Sequence, residues 1–335
     1  MAFTTWGWDL VDRVLVTGGV GFIGFHLAAH LLEQGYEVTV VDNLFRSKRD
    51  LEFAKLEKEI RFVQADLTQP LTQLPLDQEY RYVYHLAAIN GVAYANNMPH
   101  KVLRTNLLST VQVLDWCAER QPETVLFASS SETYHGAAQW GHLPIPTREE
   151  VPLVIADPDI PRYSYAGSKI VGELITLNYA KQYNFAARIV RYHNVYGPRM
   201  GFDHVIPQWI SRILGRENPF RVYGPNQTRA FCYVSDAVSA TYRIGTLPGG
   251  GHHIVNVGNP EEEINMEQLC RRLFAVAGYQ APFDYRKAPL GSPDRRCPDI
   301  TLLSSLLGPL TFVPLTDGLA RTYAWYEQYL GDREQ

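Results

Sequence analysis

Cysteine is scarce in this chain: four in 335 residues, Cys117, Cys232, Cys270 and Cys297. They stand far apart with no CxxC or Cys/His grouping, which argues against a disulfide framework or a zinc site and leaves buried or surface thiols. His85, His193, His252 and His253 share no metal-ligand spacing either, so they are taken as structural and no metal is expected. No apolar run reaches the length of a membrane span, and the opening MAFTTWGWDL lacks the basic-then-apolar pattern of a signal peptide. Positive charge is not in excess: Lys+Arg number 31 against Asp+Glu 35, which removes the electrostatic basis for binding nucleic acid or an anionic membrane. Internal repeats and low-complexity segments are missing as well. A cytoplasmic protein is the expectation. What remains is a chain with 46% hydrophobic residues, enough for a sizeable core in one large or two intimately joined domains.

The first 130 residues alternate strand and helix. RVLVTG (13–18), YEVTVVDN (36–43), RFVQAD (61–66), YRYVYHLAA (80–88) and TVLFAS (124–129) read as short strands. FHLAAHLLEQG (25–35) and a segment near 99–120 have helical periodicity. Such alternation predicts an α/β fold, a parallel, doubly wound sheet covered on both faces.

Between the first strand and helix lies TGGVGFIG, with Gly18, Gly21 and Gly24 in GxxGxxG spacing. Glycines in a strand-to-helix turn let the backbone approach a pyrophosphate and aim the helix N-terminus at its charge, although tight turns and close packing also select glycine. Asp42 ends the second strand about 20 residues on, where an acid accepts the ribose hydroxyls of NAD and repels the 2′-phosphate of NADP. Arg46, Lys48 and Arg49 follow closely enough to blur that choice. Asp66 ends the third strand, either near an adenine or as a simple cap.

YSYAGSK (163–169) places Tyr165 and Lys169 four apart, on one face of a helix, where an ammonium stabilises a phenolate. A phenolate takes the proton of an alcohol as hydride leaves the same carbon for a nicotinamide. Ser130, just beyond a strand C-terminus, supplies a second hydrogen bond at the sheet edge where such folds bind ligands. Alone, the Tyr/Lys pair would be a solvent-facing pair on an amphipathic helix. Later in the chain, Arg229 and Arg296 fall in Pro- and Gly-flanked, turn-like segments from which guanidinium forks reach phosphates. The aromatic segments YHNVY and AFCYV either stack on a base or belong to the core.

Together TGGVGFIG, Asp42, HLAA (85–88), Asn106, Ser130 and Tyr165 with Lys169 resemble the extended short-chain dehydrogenase/reductases that act on nucleotide sugars. The resemblance continues through RYHNVYGPRM (191–200), VYGPNQTRAFCYVSD (222–236), IVNVGNP (254–260) and PDRRCPDI (293–300). It implies a Rossmann-type NAD-binding domain over 1–190 and a smaller C-terminal α/β portion over 191–335 that mainly holds a nucleoside diphosphate sugar, the chain crossing between the two more than once. By position it implies catalysis by Ser130, Tyr165 and Lys169. It further implies cofactor contacts from Gly18, Gly21, Phe22, Ile23, Gly24, Asp42, Asn43, Asp66, Leu67, Leu86, Ala87, Ala88 and Asn106, shared with Tyr165 and Lys169. Asn194, Arg199, Arg229, Arg296 and Asp299 fall at substrate positions. Helices near 99–120 and 165–183 resemble those that pair family members into homodimers.

The branch of the family turns on SSSETY (129–134). An extended backbone there would put Ser130 and Glu132 on one side and Ser131 on the other. The hydroxyl, Ser, Glu order resembles UDP-glucuronate decarboxylases and GDP-mannose 4,6-dehydratases. GPRM, QTRAF with YVSD, and Arg-x-Pro-Asp-Ile lean toward the decarboxylases, with Glu132 handling a proton at the sugar C5. The alternative for Glu132 is a structural acid bonded to local backbone. On those motifs the expected reaction is decarboxylation of a UDP-sugar such as UDP-glucuronate, although AINGVAYANN (88–97) is closer to uronate 4-epimerases. The alternatives are 4-epimerisation, then 4,6-dehydration. A non-catalytic NAD sensor would be expected to have lost part of the Ser130, Tyr165 and Lys169 set. The segment between Tyr134 and Tyr163 has no assignable contacts from sequence.

Overall fold

The computed structural model describes residues 12–331 except Lys48, Asp77, His142 and Leu290; Lys48, one of the cations set against Asp42 above, thus lies outside the described residues. In chain order the first half runs β1 (Arg13–Thr17), α1 (Phe22–Glu33), β2 (Glu37–Asp42), α2 (Leu51–Leu56), β3 (Arg61–Gln64), β4 (Tyr82–His85), α3 (Val92–Asn97), α4 (Pro99–Arg120), β5 (Thr124–Ser130), α5 (His135–Gln139), α6 (Tyr163–Tyr183) and β6 (Ala186–Tyr192). The second half adds β7 (Val195–Tyr196), α7 (Val205–Leu214), β8 (Phe220–Tyr223), β9 (Thr228–Ala230), β10 (Cys232–Tyr233), α8 (Val234–Gly245), β11 (His252–Val257), β12 (Glu263–Asn265), α9 (Met266–Ala277), β13 (Phe283–Arg286), β14 (Arg295–Arg296), α10 (Thr301–Leu307) and α11 (Leu315–Gly331).

Seven parallel strands form the central sheet in the order β11-β6-β5-β4-β1-β2-β3. Its strands are apolar along nearly their whole length because both faces are covered. Alternation in β1 shows this: Val14 and Val16 pack with Leu27, Leu31 and Val40, while Leu15 packs on the opposite face with Val83, Val113 and Trp116. Strand order reverses between β1 and β4, which opens a crevice at the carboxyl ends of the strands. The remaining strands form small sheets, β12-β9-β14, β13-β8 and β10-β7. Between them the chain returns to the main sheet as β11, paired with β6.

Local sequence explains most element ends. The fourth strand stops at His85, earlier than the apolar pattern suggests, because His85 is bonded to the Thr17 and Thr110 hydroxyls and the chain beyond it turns into the crevice. The first helix starts at Phe22, three residues earlier than its periodicity indicates, because Phe22 and Ile23 pack against the core. Tyr192, Tyr196, Phe231 and Tyr233 are buried, which places both aromatic segments in the core. Among the described residues no helix is long and apolar enough to cross a membrane, and no group of His, Cys, Asp and Glu could hold a metal ion. All four cysteines are free and buried.

Candidate active site

A cavity of about 450 Å³ occupies the crevice, lined by the glycine turn, the ends of β2 and β4, Tyr165, Lys169 and, from the far side, the 199–204 segment and α11. The turn is built for close approach. Gly18 has φ +72°, and a Cβ on it would stand 2.7 Å from the Ala87 backbone; one on Gly24 would stand 2.2 Å from the Gly18 carbonyl. Only glycine permits this packing of helix on strand. Phe22, Ile23, Asn43, Asp66, Leu67, Leu86, Ala87 and Ala88 also line the cavity. Asp66 is exposed and accepts the Thr68 N–H at 2.9 Å, so it serves a local turn whatever else it meets.

Asp42 accepts the Val20 N–H at 3.1 Å and the Leu44 N–H at 2.8 Å, which fixes its carboxylate toward the cavity; burial pushes its pKa up against these bonds. The nearby cations are engaged elsewhere. Arg46 donates to the Asn90 carbonyl and pairs with Asp203 at 3.2 Å, and Arg49 pairs with Glu57 at 3.0 Å. An acid with no free arginine beside it among the described residues fits NAD better than NADP. Asn106 behaves differently from its expected role. It is buried, brackets the Ile89 N–H and carbonyl at 2.7 and 3.1 Å, and donates to Ser168 at 3.1 Å. It therefore anchors the loop after β4 to the Tyr165 helix and does not line the cavity.

At the inner end, Tyr165 and Lys169 share one face of α6, as their spacing requires. Ser130 hydrogen-bonds the Tyr165 hydroxyl, which counters burial that pushes the phenol up to about 12. Lys169 is buried, donates to the Ala128 carbonyl at 2.7 Å, and has its Nζ 5.8 Å from the Tyr165 ring centroid. Burial draws its ammonium down to about 8, with Glu173 opposing. Beneath them Glu173 pairs with Arg191 at 2.6 Å and accepts from Ser129 at 2.5 Å, a buried pair whose disruption costs about 3–5 kcal/mol.

The SSSETY turn departs from the extended expectation. The strand ends at Ser130, and residues Ser131–Tyr134 form a 3-10 turn. Ser130 Oγ accepts the Glu132 N–H at 3.2 Å and Thr133 Oγ1 donates to the Ser130 carbonyl at 2.8 Å; these local side-chain bonds curl the chain. Ser131 is buried. Glu132 lies between two guanidinium groups, Arg162 at 2.9 Å and Arg296 at 2.7 Å. Burial pushes its carboxyl up, but Arg296 and Arg162 outweigh that and hold it well below the usual carboxylate range.

Other positions predicted for substrate divide into two groups. Arg229 and Arg296 are opposite each other on the adjacent strands β9 and β14. Arg229 donates to the Thr228 carbonyl at 2.7 Å and Ser292 Oγ at 3.2 Å; burial draws it down to about 10, and Arg296 adds to this. Arg199 is occupied elsewhere, in ion pairs with Asp50 at 2.6 Å and Glu52 at 3.2 Å that tie the segment after β7 to α2. Asp299 accepts the Thr301 N–H at 2.8 Å at the start of α10 and pairs with Arg148 at 3.2 Å. Asn194 has φ +40° and donates to the Ala230 carbonyl at 2.9 Å, holding the turn before β7. The unassigned segment proves to be a brace: Thr147 bridges Pro298, and Glu149 Oε1 accepts the Asn256 N–H at 2.8 Å. It also delivers two residues that motif reading missed, Arg162 and His135. Arg162 immediately precedes α6, and that position was the available signal.

A doubly wound sheet with an acid at the end of its second strand, and Ser130 at the end of β5 bonded to Tyr165 of α6, defines a class of NAD-dependent enzymes. Residues 14–258 match the model of the NAD dependent epimerase/dehydratase family, and the chain belongs to that family. UDP-glucuronic acid decarboxylase 1 of Xenopus tropicalis is 33% identical, over 95% of this chain and 73% of its own length. UDP-N-acetyl-alpha-D-glucosaminuronate decarboxylase of Bacillus cytotoxicus is 32% identical, over 96% of this chain and 99% of its own. Among solved structures, UDP-glucuronic acid 4-epimerase from Bacillus cereus, in complex with UDP-glucuronic acid and NAD, superposes with a TM-score of 0.82 at 27% identity, covering 95% of this chain and 99% of that one.

Proposed function

We propose that this enzyme decarboxylates a UDP-hexuronate, UDP-glucuronate first among them, through transient oxidation at C4. The observation that carries the reading is Glu132, an acid beside the Ser130 and Tyr165 pair and bracketed by Arg162 and Arg296. The two curated relatives, both named as decarboxylases of UDP-linked uronates, support it. Arg229 and Arg296, cations on adjacent strands, suit the diphosphate or the sugar carboxylate. Residues 1–190 would then serve mainly the dinucleotide and 191–335 mainly the nucleotide sugar, with β11 returning to the first.

NAD, when bound, accepts hydride from C4 and later returns it. Tyr165 removes the C4 hydroxyl proton, Ser130 shares the hydrogen bond to that oxygen, and Lys169 adds positive charge beneath the site. The oxidised sugar is a β-keto acid. Its C5–carboxylate bond breaks, carbon dioxide leaves, the electron pair enters the ketone as an enolate, and a proton from solvent, directed by the Glu132 carboxylate, is placed on C5. Tyr165 then gives its proton back to the C4 oxygen. If the sugar turned over before reduction, the product would be the 4-epimer, a second reading favoured by AINGVAYANN and by the Bacillus cereus structure.

Mass spectrometry of UDP-, GDP-, dTDP- and CDP-sugars tests this. UDP-glucuronate should yield carbon dioxide and a UDP-pentose, and Tyr165→Phe should stall before NADH appears. Glu132→Gln should retain NAD and slow product formation at least about a hundredfold. UDP-galacturonate without mass loss would transfer the assignment to the 4-epimerase, and loss of water from a neutral hexose to a 4,6-dehydratase. The reading also includes a homodimer formed through α4 and α6, where Leu103 and Leu174 are exposed, and a cytoplasmic setting that suits four unpaired thiols.

A further inference from the structure

Arg162 and Arg296 touch the same carboxylate in different ways. Arg162 meets Glu132 side-on, Nε donating to Oε2 and Nη2 to Oε1, each at 2.9 Å, while Nη1 donates to the Gly291 carbonyl at 3.1 Å. All three nitrogens are engaged, and the residue occupies the cap position directly before α6, the helix that carries Tyr165. Arg296 offers a single Nη2 to Oε1 at 2.7 Å, the one hydrogen bond of its side chain to the described residues. A two-point fork resists rotation of the carboxylate; a one-point contact exchanges more readily.

We propose that the two arginines divide the work: Arg162 is a positioning residue that holds the Glu132 carboxylate in place throughout, whereas Arg296 is the exchangeable arm that leaves Glu132 for the anionic group of the substrate. This rests on the function proposed above in so far as Glu132 works at C5. The charge count allows the exchange. Two guanidinium groups pair with the single Glu132 carboxylate, so a substrate anion draws Arg296 away without leaving Glu132 unpaired.

The other groups around Glu132 do not compete. His135 of α5 is buried, 5.6 Å from the Tyr163 ring, with neither ring nitrogen bonded to a described residue; burial and then Arg162 draw it down to about 4, so it stays neutral at working pH. Tyr163 and Tyr165 of α6 are phenols whose pKa burial raises. With Arg162 gone, burial of Glu132 meets one arginine instead of two. The carboxyl pKa then rises, and activity that needs the carboxylate is lost at a higher pH as the medium is acidified.

The test compares Arg162→Gln, Arg162→Lys and Arg296→Gln in the NAD-loaded protein. For Arg162→Gln, kcat should fall by roughly a hundredfold with KM little changed, as for a lost acid–base group, and the acid limb of the pH profile should move up. Arg162→Lys, which keeps the charge but not the fork, should restore the limb and part of kcat. Arg296→Gln should chiefly raise KM. Infrared difference spectra without substrate, assigned with Glu132→Gln, should show a protonated carboxyl in Arg162→Gln at a pH where the wild type shows carboxylate. An unmoved infrared signature together with a rise in KM alone for Arg162→Gln would overturn the proposal and make Arg162 a substrate arm. If the signature moves while no UDP-uronate is turned over, the positioning role stands and the decarboxylase reading falls.

Discussion

One carboxylate stands at the end of the second strand, and its neighbours decide whether an acid there can discriminate against a 2′-phosphate. Asp42 is held toward the cavity by two backbone N–H groups, and the arginines able to neutralise a 2′-phosphate are spent on Asp203, Asn90 and Glu57. Calorimetric titration should therefore show tighter binding of NAD than of NADP. Asp42→Asn should narrow the difference by about tenfold or more, a tenfold change being about 1.4 kcal/mol. Equal affinities in the wild type would mean that Arg46 swings from Asp203 to the phosphate. Asp42 and the glycines were legible because their geometry is local, a turn and a strand end. Arg199 and Asp299 were not. Whether an arginine meets a ligand or an acid depends on what the fold brings to it, and Arg199 finds Asp50 from 149 residues away. Asn106 illustrates the same limit: its sequence position matched a cofactor contact, whereas its side chain satisfies two backbone groups of Ile89, which would cost about 1–3 kcal/mol each if left unpaired.

Helices and strands with strong periodicity were readable, and the breaks between them less so. The helix expected near 99–120 spans Pro99–Arg120, and the sheet has the parallel order that the alternation predicted. The turn after β5 misled because strand alternation was carried two residues too far; Ser130 and Thr133 bond their own backbone and convert the extended path into a 3-10 turn. The brace between Tyr134 and Tyr163 was opaque because its partners, Asn256, Cys297 and Pro298, lie more than a hundred residues later. Two long helices, α4 and α6, pack against each other and still expose Leu103 and, at 60%, Leu174. A large apolar side chain left this open on a long helix suits burial by a second copy. Light scattering at micromolar concentration should give a dimer mass, and Leu174→Arg should shift it toward the monomer with NAD still bound. A wild-type monomer with full activity would remove the dimer.

The protein as a whole keeps several histidines neutral, and this ties its stability to pH. His85, bonded between Thr17 and Thr110, and His193, bonded to Asn256, are buried in the main sheet and the turn beyond it. Burial draws each down to about 3, with Lys169 adding to the effect at His85 and the Asn256 bond opposing it at His193. Unfolded, each returns to an ordinary value near 6.5. Between these limits the unfolded chain binds protons that the folded protein refuses, so stability is complete above about pH 6.5 and falls as the pH drops toward 3. Each such histidine withdraws about 1 kcal/mol per pH unit across that window. Urea midpoints measured from pH 7.5 to 4.5 should decline on this account, and His193→Gln, which cannot take a proton, should flatten the decline while costing some stability at neutral pH. A decline unchanged by that substitution and by His85→Gln would place the acid sensitivity in other lowered histidines, among them His135 and His204. The Glu132 carboxyl would not account for it, because a depressed carboxyl gives up its contribution only below the ordinary carboxylate range.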